Sequence, residues 1–339
     1  MLSWQWLTAI TAGAFGASWV GTWGALFILR RRGMLDHPNA RSSHLTPTPT
    51  GGGIAAITVM GIAWMLVAIF GPEEWRADVG AAAAAVSLGT ALAVLSLMDD
   101  LRGGLSPGLR FAFQAMAVLG GLIAIPGQVF QGLLPPFVDS VAVVFIWLWF
   151  INLFNFMDGI DGIAGVQATG IGVGVAVVAS VGALAPAHMI FGMVAAASAL
   201  GFLLWNWHPA KIFMGDVGSV GFGYLLGWLL LVLAASGEWA AALILPMYFV
   251  ADATITLMRR AFARQTLWQA HRDHFYQRAA MAAFGNHKTV TRTFLAAQVG
   301  LVALAGVVAV APGVRVSGIL TAAALVAALL WYLRRLATR

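Results

Sequence analysis

Long apolar runs recur along the chain, broken by short polar stretches. About 20 apolar residues span a bilayer as a helix. The pattern predicts helices at 5–29, 51–70, 81–98, 109–130, 141–154, 163–183, 187–206, 217–235, 238–258, 294–311 and 315–334. It therefore reads as an all-α, polytopic integral membrane protein with about eleven transmembrane helices. Nothing along residues 1–339 marks a soluble domain, a linker or an internal repeat, so the chain reads as one membrane domain.

Composition supports the same class. Hydrophobic residues make up 60% of the chain and charged residues 9%, against roughly 25% charged in a soluble domain. The first span does not read as a cleaved signal peptide, because its basic cluster, Arg30–Arg32, follows the apolar stretch instead of preceding it. The absence of cysteine excludes disulfides and thiolate metal sites. The net charge of +6 reads as topology, not as nucleic-acid binding. Of the 19 Lys and Arg, all but Arg76 and Arg315 fall in loops after odd-numbered spans or in the C-terminal tail. Basic loops stay in the cytoplasm, so the expected N-terminus is outside and the C-terminus cytoplasmic.

That topology gathers carboxylates on one face. Asp99 and Asp100 end the third span, Asp158 and Asp161 follow the fifth, Asp216 precedes the eighth, and Asp273 lies in the loop after the ninth. Glu73, Glu74, Asp78, Asp139 and Glu238 fall on the opposite side, where a solvated face accounts for them. Helix caps and ion pairs would explain any one member of the clustered set. The whole set has few cationic neighbours in its own loops, and like charges held together favour a hard divalent cation with oxygen ligands and a phosphorylated substrate. Mg²⁺ is the expected ion, with Mn²⁺ as its substitute.

"FMGDVGSVGFG" (213–223) sets Asp216 and Ser219 among glycines just before a membrane helix. Exposed N–H groups at such a turn suit phosphate, whereas small residues at this spacing also serve helix packing. "TPTPTGGGIA" (46–55) is a weaker signal and fits a loop entering a helix. The loop at 271–292 is basic and amphipathic, so a membrane-surface anchor and a phosphate-holding loop are both open. In the second reading a protonated His271 or His274, with Arg272 and Arg278, holds phosphate oxygens. Asp252 sits inside the ninth span, where pairing with a neighbouring helix is the expected role.

The set "MDDLRGGLSPGLRF", "NLFNFMDGIDGIAG", "NWHPAKIFMGDVGS" and "HRDHFYQR" resembles the polyprenyl-phosphate N-acetylhexosamine-1-phosphate transferases. The resemblance spans roughly residues 30–280, within a motif-bearing region of about 30–292. "DHPNARSSHLTPTPTGGG" and "DATITLMRR" are similar to the O-antigen-initiating branch. The resemblance implies transfer of an N-acetylhexosamine 1-phosphate from a UDP-sugar to undecaprenyl phosphate, releasing UMP. It also implies Mg²⁺ dependence and a site on the cytoplasmic face of the bacterial inner membrane.

Carried over by motif, Asp216 would be the chief metal ligand, helped by Asp158. Asp99 and Asp100 would lie beside the lipid phosphate, with Asn155 and Asp161 near the nucleotide-sugar. Asn206 and Phe213 would hold uracil, and His271 and His274 would sit over the pyrophosphate. Two departures stand out. Asp273 replaces a third histidine found in some relatives. Arg41 and His44 stand where the peptidoglycan enzyme has a lysine. The rival class is a transporter or flippase of lipid-linked or phosphorylated sugars, which would place ionisable groups at the bilayer midplane. Membrane lipids are the other expected partners, and the Gly/Ala-rich spans permit a homodimer.

Overall fold

A computed structural model of the chain describes residues 4–38, 46–73, 78–102, 104–182, 184–266, 271–282 and 286–338. Its elements are α1 (Trp4–Arg32), a two-residue ribbon β1 (Leu35–Asp36) and β2 (Thr48–Pro49), α2 (Gly53–Phe70), α3 (Val79–Arg102), α4 (Pro107–Gly121), α5 (Pro136–Phe156), α6 (Ile163–Val181) and α7 (Pro186–Asn206). There follow α8 (Gly215–Leu233), α9 (Trp239–Ile244), α10 (Met247–Phe262), α11 (Phe275–Met281), α12 (Asn286–Val310) and α13 (Arg315–Leu336).

Helix α8 stands at the centre. Every residue from Val217 to Leu233 is buried, as expected of a helix that is apolar all round. At ~1.5 Å rise per residue, its 19 residues match a ~30 Å hydrocarbon core. Helices α3 and α5 pack on it most extensively, with α2 alongside. The α2 contact is a backbone approach: a Cβ on Gly53 would meet the Gly218 Cα at 2.4 Å. Around this core, α6 pairs with α7, α1 covers α7, and α12 covers α6. Buried indoles tie helices to one another, Trp147 Nε1 donating to the Tyr224 carbonyl at 2.9 Å and Trp64 Nε1 to the Phe191 carbonyl at 3.0 Å. A buried indole N–H is paired in this way because leaving it unpaired is costly.

Among the described residues, ten helices are long and apolar enough to cross a membrane, with Gly215–Ile244 counted as one of 30 residues. The expected ninth span, 238–258, is the difference. Gly237 at φ +93° breaks the helix after α8, and the chain returns through the six-residue α9 and the 16-residue α10. Glu238 meets Arg315 at the start of α13 at 3.2 Å, at the end of the bundle away from Asp216. Asp252 meets the start of α11, beside the Asp158 turn. The ninth pass is therefore an interrupted helix. Its break at Leu245-Pro246 frees the Leu245 carbonyl, which accepts from Gln167 Nε2 of α6 at 3.2 Å and Gln298 Nε2 of α12 at 3.1 Å. Side-chain donors are how a broken helix survives in a medium without water.

Four further expectations change. Helix α3 continues through Asp99 and Asp100, which occupy its last turns. Asp139 is buried, not solvated, accepting from the Phe130 N–H at 2.8 Å and the Val129 N–H at 3.3 Å. Glu238 is also buried, in its pair with Arg315. The "TPTPTGGG" stretch does more than enter a helix. Pro49 O accepts from Phe213 N at 2.8 Å, and Gly52 N and Gly53 N donate to the Phe213 and Met214 carbonyls at 2.9 and 3.0 Å. It is stitched along the loop that leads into Asp216.

Candidate active site

At one end of the bundle, α3, α4, α5 and α8 surround a cavity of about 470 Å³. Its polar wall carries Asp99, Arg110, Gln114, Asn152, Asn155 and Asp216, and Leu92, Leu95, Phe111 and Phe113 line the rest. The local sequence accounts for this placement. Ser106 caps α4, accepting from the Leu109 N–H at 3.4 Å, with Pro107 at the first helical position. Arg110 thus rides the first turn of α4, facing the end of α3. Asn152 and Asn155 are three residues apart on α5 and so share a face. Gly215, at φ +72°, turns the chain into α8, and a Cβ there would meet the Gly51 N at 2.7 Å. Only glycine fits that turn, and it sets Asp216 in the first turn of α8.

Arg110 bridges two carboxylates, its Nε 2.5 Å from Asp99 Oδ2 and its Nη1 3.2 Å from Asp216 Oδ2. Asn155 Nδ2 donates to Asp216 Oδ1 at 3.0 Å and to Ser219 Oγ at 2.8 Å. Asn152 Nδ2 donates to Gln114 Oε1 at 2.8 Å. The Asp99 side chain is 3% exposed and also accepts from the Leu105 N–H, so both its oxygens are engaged. Asp100, in the last turn of α3, is exposed and within electrostatic reach of Asp216, Asp99 and Arg110.

Asp158 lies in the turn between α5 and α6. Burial and the charges of Asp216 and Asp161 push its carboxyl up to about 7. The carboxylates gathered here offer only oxygen donors. That is the donor set a hard divalent cation takes, so the residues present fit Mg²⁺ at Asp216 and Asp158.

A second polar cluster backs the Asp158 turn. Asn206 Oδ1 accepts from the Gly162 N–H at 2.9 Å, and its Nδ2 donates to the Ile212 carbonyl at 2.9 Å. Both polar ends of Asn206 are thus spent on holding two loops together. Asp161 is buried, its Oδ2 2.7 Å from His208 Nδ1 and 3.1 Å from the Ala210 N–H. Burial by itself would raise its pKa; His287, the Ala210 N–H and His208 outweigh that and hold it below the usual carboxylate range. Phe213 is half-buried in the loop below.

The histidine loop docks on α10 through one carboxylate. Asp252 is fully buried; its Oδ1 accepts from the Phe275 N–H at 3.0 Å, His274 Nδ1 at 3.2 Å and Thr256 Oγ1 at 3.3 Å. Its Oδ2 accepts from the Tyr248 hydroxyl at 3.1 Å and the Tyr276 N–H at 3.2 Å. Phe275 and Tyr276 open α11, so a neighbouring short helix is a partner, with His274 just before it. Tyr276 then donates to the Phe156 carbonyl at 2.9 Å, tying the loop to the Asp158 turn.

His274 is 2% exposed and held by Asp252, so in this arrangement it does not reach out over a substrate. His271 stacks on it with ring centroids 5.0 Å apart. Burial, His274 and Arg260 push the His271 imidazole down to about 4, with Asp273 pulling partly back. With no phosphate beside it, the His271 ring is therefore neutral at pH 7. Asp273, the departure from the histidine pattern, pairs with Arg260. Arg272 is half-buried in the same loop. Arg41 and His44 lie outside the described residues.

Residues 82–234 match the family described as glycosyl transferase family 4. That stretch carries the cavity's Asp99, Arg110, Asn155 and Asp216 together with Asp158. The decaprenyl-phosphate N-acetylglucosaminephosphotransferase of Mycolicibacterium smegmatis is 30% identical, over 97% of this chain and 88% of its own length. The chain belongs to glycosyl transferase family 4.

Other family members are similar to it over shorter stretches. A probable undecaprenyl-phosphate N-acetylglucosaminyl 1-phosphate transferase of Bacillus subtilis is 29% identical over 75% of this chain and 71% of its own length. A phospho-N-acetylmuramoyl-pentapeptide-transferase of Streptococcus thermophilus is 30% identical over 62% and 65%. The resemblance read from the motifs is borne out, and family 4 members of this kind are phospho-sugar transferases set in membranes. Sequence reasoning passed over Arg110, Asn152 and Gln114 as site residues. The signal for Asn152 was present in its spacing of three from Asn155. By sequence alone Arg110 reads only as a topological charge, because nothing local says that α4 turns it toward Asp99.

Proposed function

We propose that this family 4 protein transfers an N-acetylhexosamine 1-phosphate from a UDP-sugar to undecaprenyl phosphate. The products are the undecaprenyl diphosphate sugar and UMP, in the first membrane step of an O-antigen or other cell-envelope polysaccharide. The site would face the cytoplasm in a bacterial inner membrane. The observation that carries the reading is the cavity itself: an apolar wall for a lipid beside a cluster of Asp99, Arg110, Asn155 and Asp216 for phosphates.

The lipid phosphate supplies the nucleophile. With a second pKa near 6, a phosphate monoester is mostly dianionic at neutral pH. Its oxygen forms a bond to the β-phosphorus as the bond from that phosphorus to the bridging oxygen breaks, and UMP leaves with the bridging oxygen. Arg110 offers a planar cation beside the Asp99 carboxylate, suited to receiving the lipid phosphate. Asn155 orients Asp216 through its Nδ2. Asp216 and Asp158 would hold Mg²⁺ (or Mn²⁺), which when bound supplies charge neutralisation and polarises phosphoryl oxygens.

A double displacement through an aspartyl phosphate is the competing route. The engagement of both Asp99 oxygens and its burial favour direct attack, since a nucleophile needs a free lone pair in reach of phosphorus. The test is purified protein with undecaprenyl phosphate, Mg²⁺ and a panel of UDP-N-acetyl sugars, scoring UMP. Turnover that requires both lipid and UDP-sugar is expected. A stoichiometric UMP burst without lipid would overturn direct attack, and no turnover with any sugar would overturn the assignment.

A further inference from the structure

Leu245 and Pro246 lie between α9 and α10. The Leu245 carbonyl accepts there from two side chains, Gln167 Nε2 of α6 at 3.2 Å and Gln298 Nε2 of α12 at 3.1 Å. We infer that Gln167 and Gln298 are positioning residues for the active site. Together they set the direction in which α10 leaves the break and carries the histidine loop. Their effect on turnover rests on the transfer reaction proposed above; the placement of α10 does not.

One donor is enough to satisfy a carbonyl, but two from different helices hold it in a fixed direction. Gln167 is 0% and Gln298 1% exposed, and each leaves its Oε1 buried without a donor. Turning either amide over would set that oxygen against the Leu245 oxygen, so the carbonyl fixes both orientations. A buried acceptor without a donor is destabilising, and the second glutamine adds one that satisfying the carbonyl does not require. What the second glutamine contributes is position. The glycines of α6 are fitted to the same contact. A Cβ on Gly170 would run into the Gln298 side chain, and one on Gly174 would run into Leu245. Gln167, Gly170 and Gly174 follow one another at spacings of three and four, so they share a face of α6.

Helix α10 then acts as a lever. Asp252 follows Leu245 by about two helical turns, roughly 10 Å, so a tilt of about 6° moves its carboxylate by about 1 Å. That carboxylate holds His274 and the Phe275 and Tyr276 N–H groups, and Tyr276 donates to the Phe156 carbonyl beside the Asp158 turn. A misplacement of about 1 Å among groups that orient a reaction costs on the order of 100-fold in rate. Beyond Asp252, α5 steadies the helix through Trp149 Nε1, which donates to Thr254 Oγ1 at 3.2 Å. The two glutamines hold the end at the break.

Gln298→Met keeps the side chain's length and leaves Gln167 to satisfy the carbonyl, so the full-length protein in detergent should fold. Hydrogen–deuterium exchange of peptides covering 247–262 and 274–281 is expected to be about fivefold or more faster than in wild type, with the α8 peptides unchanged. In the UMP assay kcat should fall about tenfold or more, while the KM for each substrate stays within about threefold. Gln298→Glu is the rescue. Buried in the bundle, its carboxyl is neutral and its O–H donates to the carbonyl, so exchange and kcat should return to within about threefold of wild type. Wild-type exchange in Gln298→Met, or equal acceleration in Gln298→Met and Gln298→Glu, would overturn the positioning role and leave a packing contact. Faster exchange with unchanged kcat would overturn it too. If the wild-type protein turned over no sugar, exchange would decide alone: faster in Gln298→Met and restored in Gln298→Glu upholds the placement of α10 while the proposed reaction falls.

Discussion

Asp252→Asn isolates the contact that docks the histidine loop. The carboxylate accepts five hydrogen bonds, three on Oδ1 and two on Oδ2. An asparagine has one acceptor, and its better orientation keeps oxygen at the Oδ1 position. The amide NH₂ then faces the Tyr248 hydroxyl, which can rotate to accept, and the Tyr276 N–H, which cannot. One orphaned buried N–H costs about 1–3 kcal/mol, and three bonds that lose a charged acceptor weaken by roughly 1 kcal/mol each before relaxation. With half of that recovered by relaxation, docking weakens by about 3 kcal/mol, or two decades in the equilibrium at ~1.4 kcal/mol per decade.

The assay is hydrogen–deuterium exchange of the peptide covering 274–281 in detergent, where opening of the loop is read directly. Exchange about 100-fold faster than wild type is expected there, with the α5 and α8 peptides unchanged. UMP turnover should fall in parallel. Exchange at 274–281 within about threefold of wild type would refute the anchoring role of Asp252 and the hydrogen-bond accounting behind it.

Asp216→Asn keeps size but removes the charge beside Arg110 and Asn155, so turnover should drop by orders of magnitude, while exposed Glu73→Gln leaves it within about twofold. Arg110→Gln should raise the KM for undecaprenyl phosphate by about tenfold or more, because the cation proposed to receive the lipid phosphate is lost; an effect on the UDP-sugar KM alone would move Arg110 to the other substrate. The Asp158 carboxyl, raised to about 7, must lose its proton to hold a cation. Apparent Mg²⁺ affinity, read from Mg²⁺ titrations of turnover, should therefore rise up to about tenfold per pH unit below 7 and level off above it. The chain has no cysteine, so single cysteines report topology cleanly. One at exposed Ala282 should resist an impermeant thiol reagent in intact cells, and one at Val138 should react; the reverse pattern would invert the orientation.

Much of this protein was legible in its chain because the signals are local. A bilayer needs long apolar helices, so eleven apolar runs stand out by hydropathy alone, and the segregated Lys and Arg give an expected orientation. The aspartates and the glycines around them raise the expectation of a phosphate chemistry through contiguous motifs. What stayed hidden depends on which elements become neighbours. The ninth pass reads as one apolar run. Its break at Pro246 is tolerable only because Gln167 and Gln298, from helices far apart in sequence, satisfy the Leu245 carbonyl.

Arg110 looks like a loop charge until α4 lays it between Asp99 and Asp216, 11 and 106 positions away along the chain. Asp252 looks like an isolated membrane carboxylate until the loop 23 residues downstream supplies its donors. His208 sits inside a motif and His287 does not, and only the loop after α7 and the packing of α12 against the turn bring the two to Asp161. Hydropathy and local spacing act within a few residues and can be read in order. The pairing of buried polar groups is set by helix packing over distances of a hundred residues, and that belongs to the tertiary structure alone.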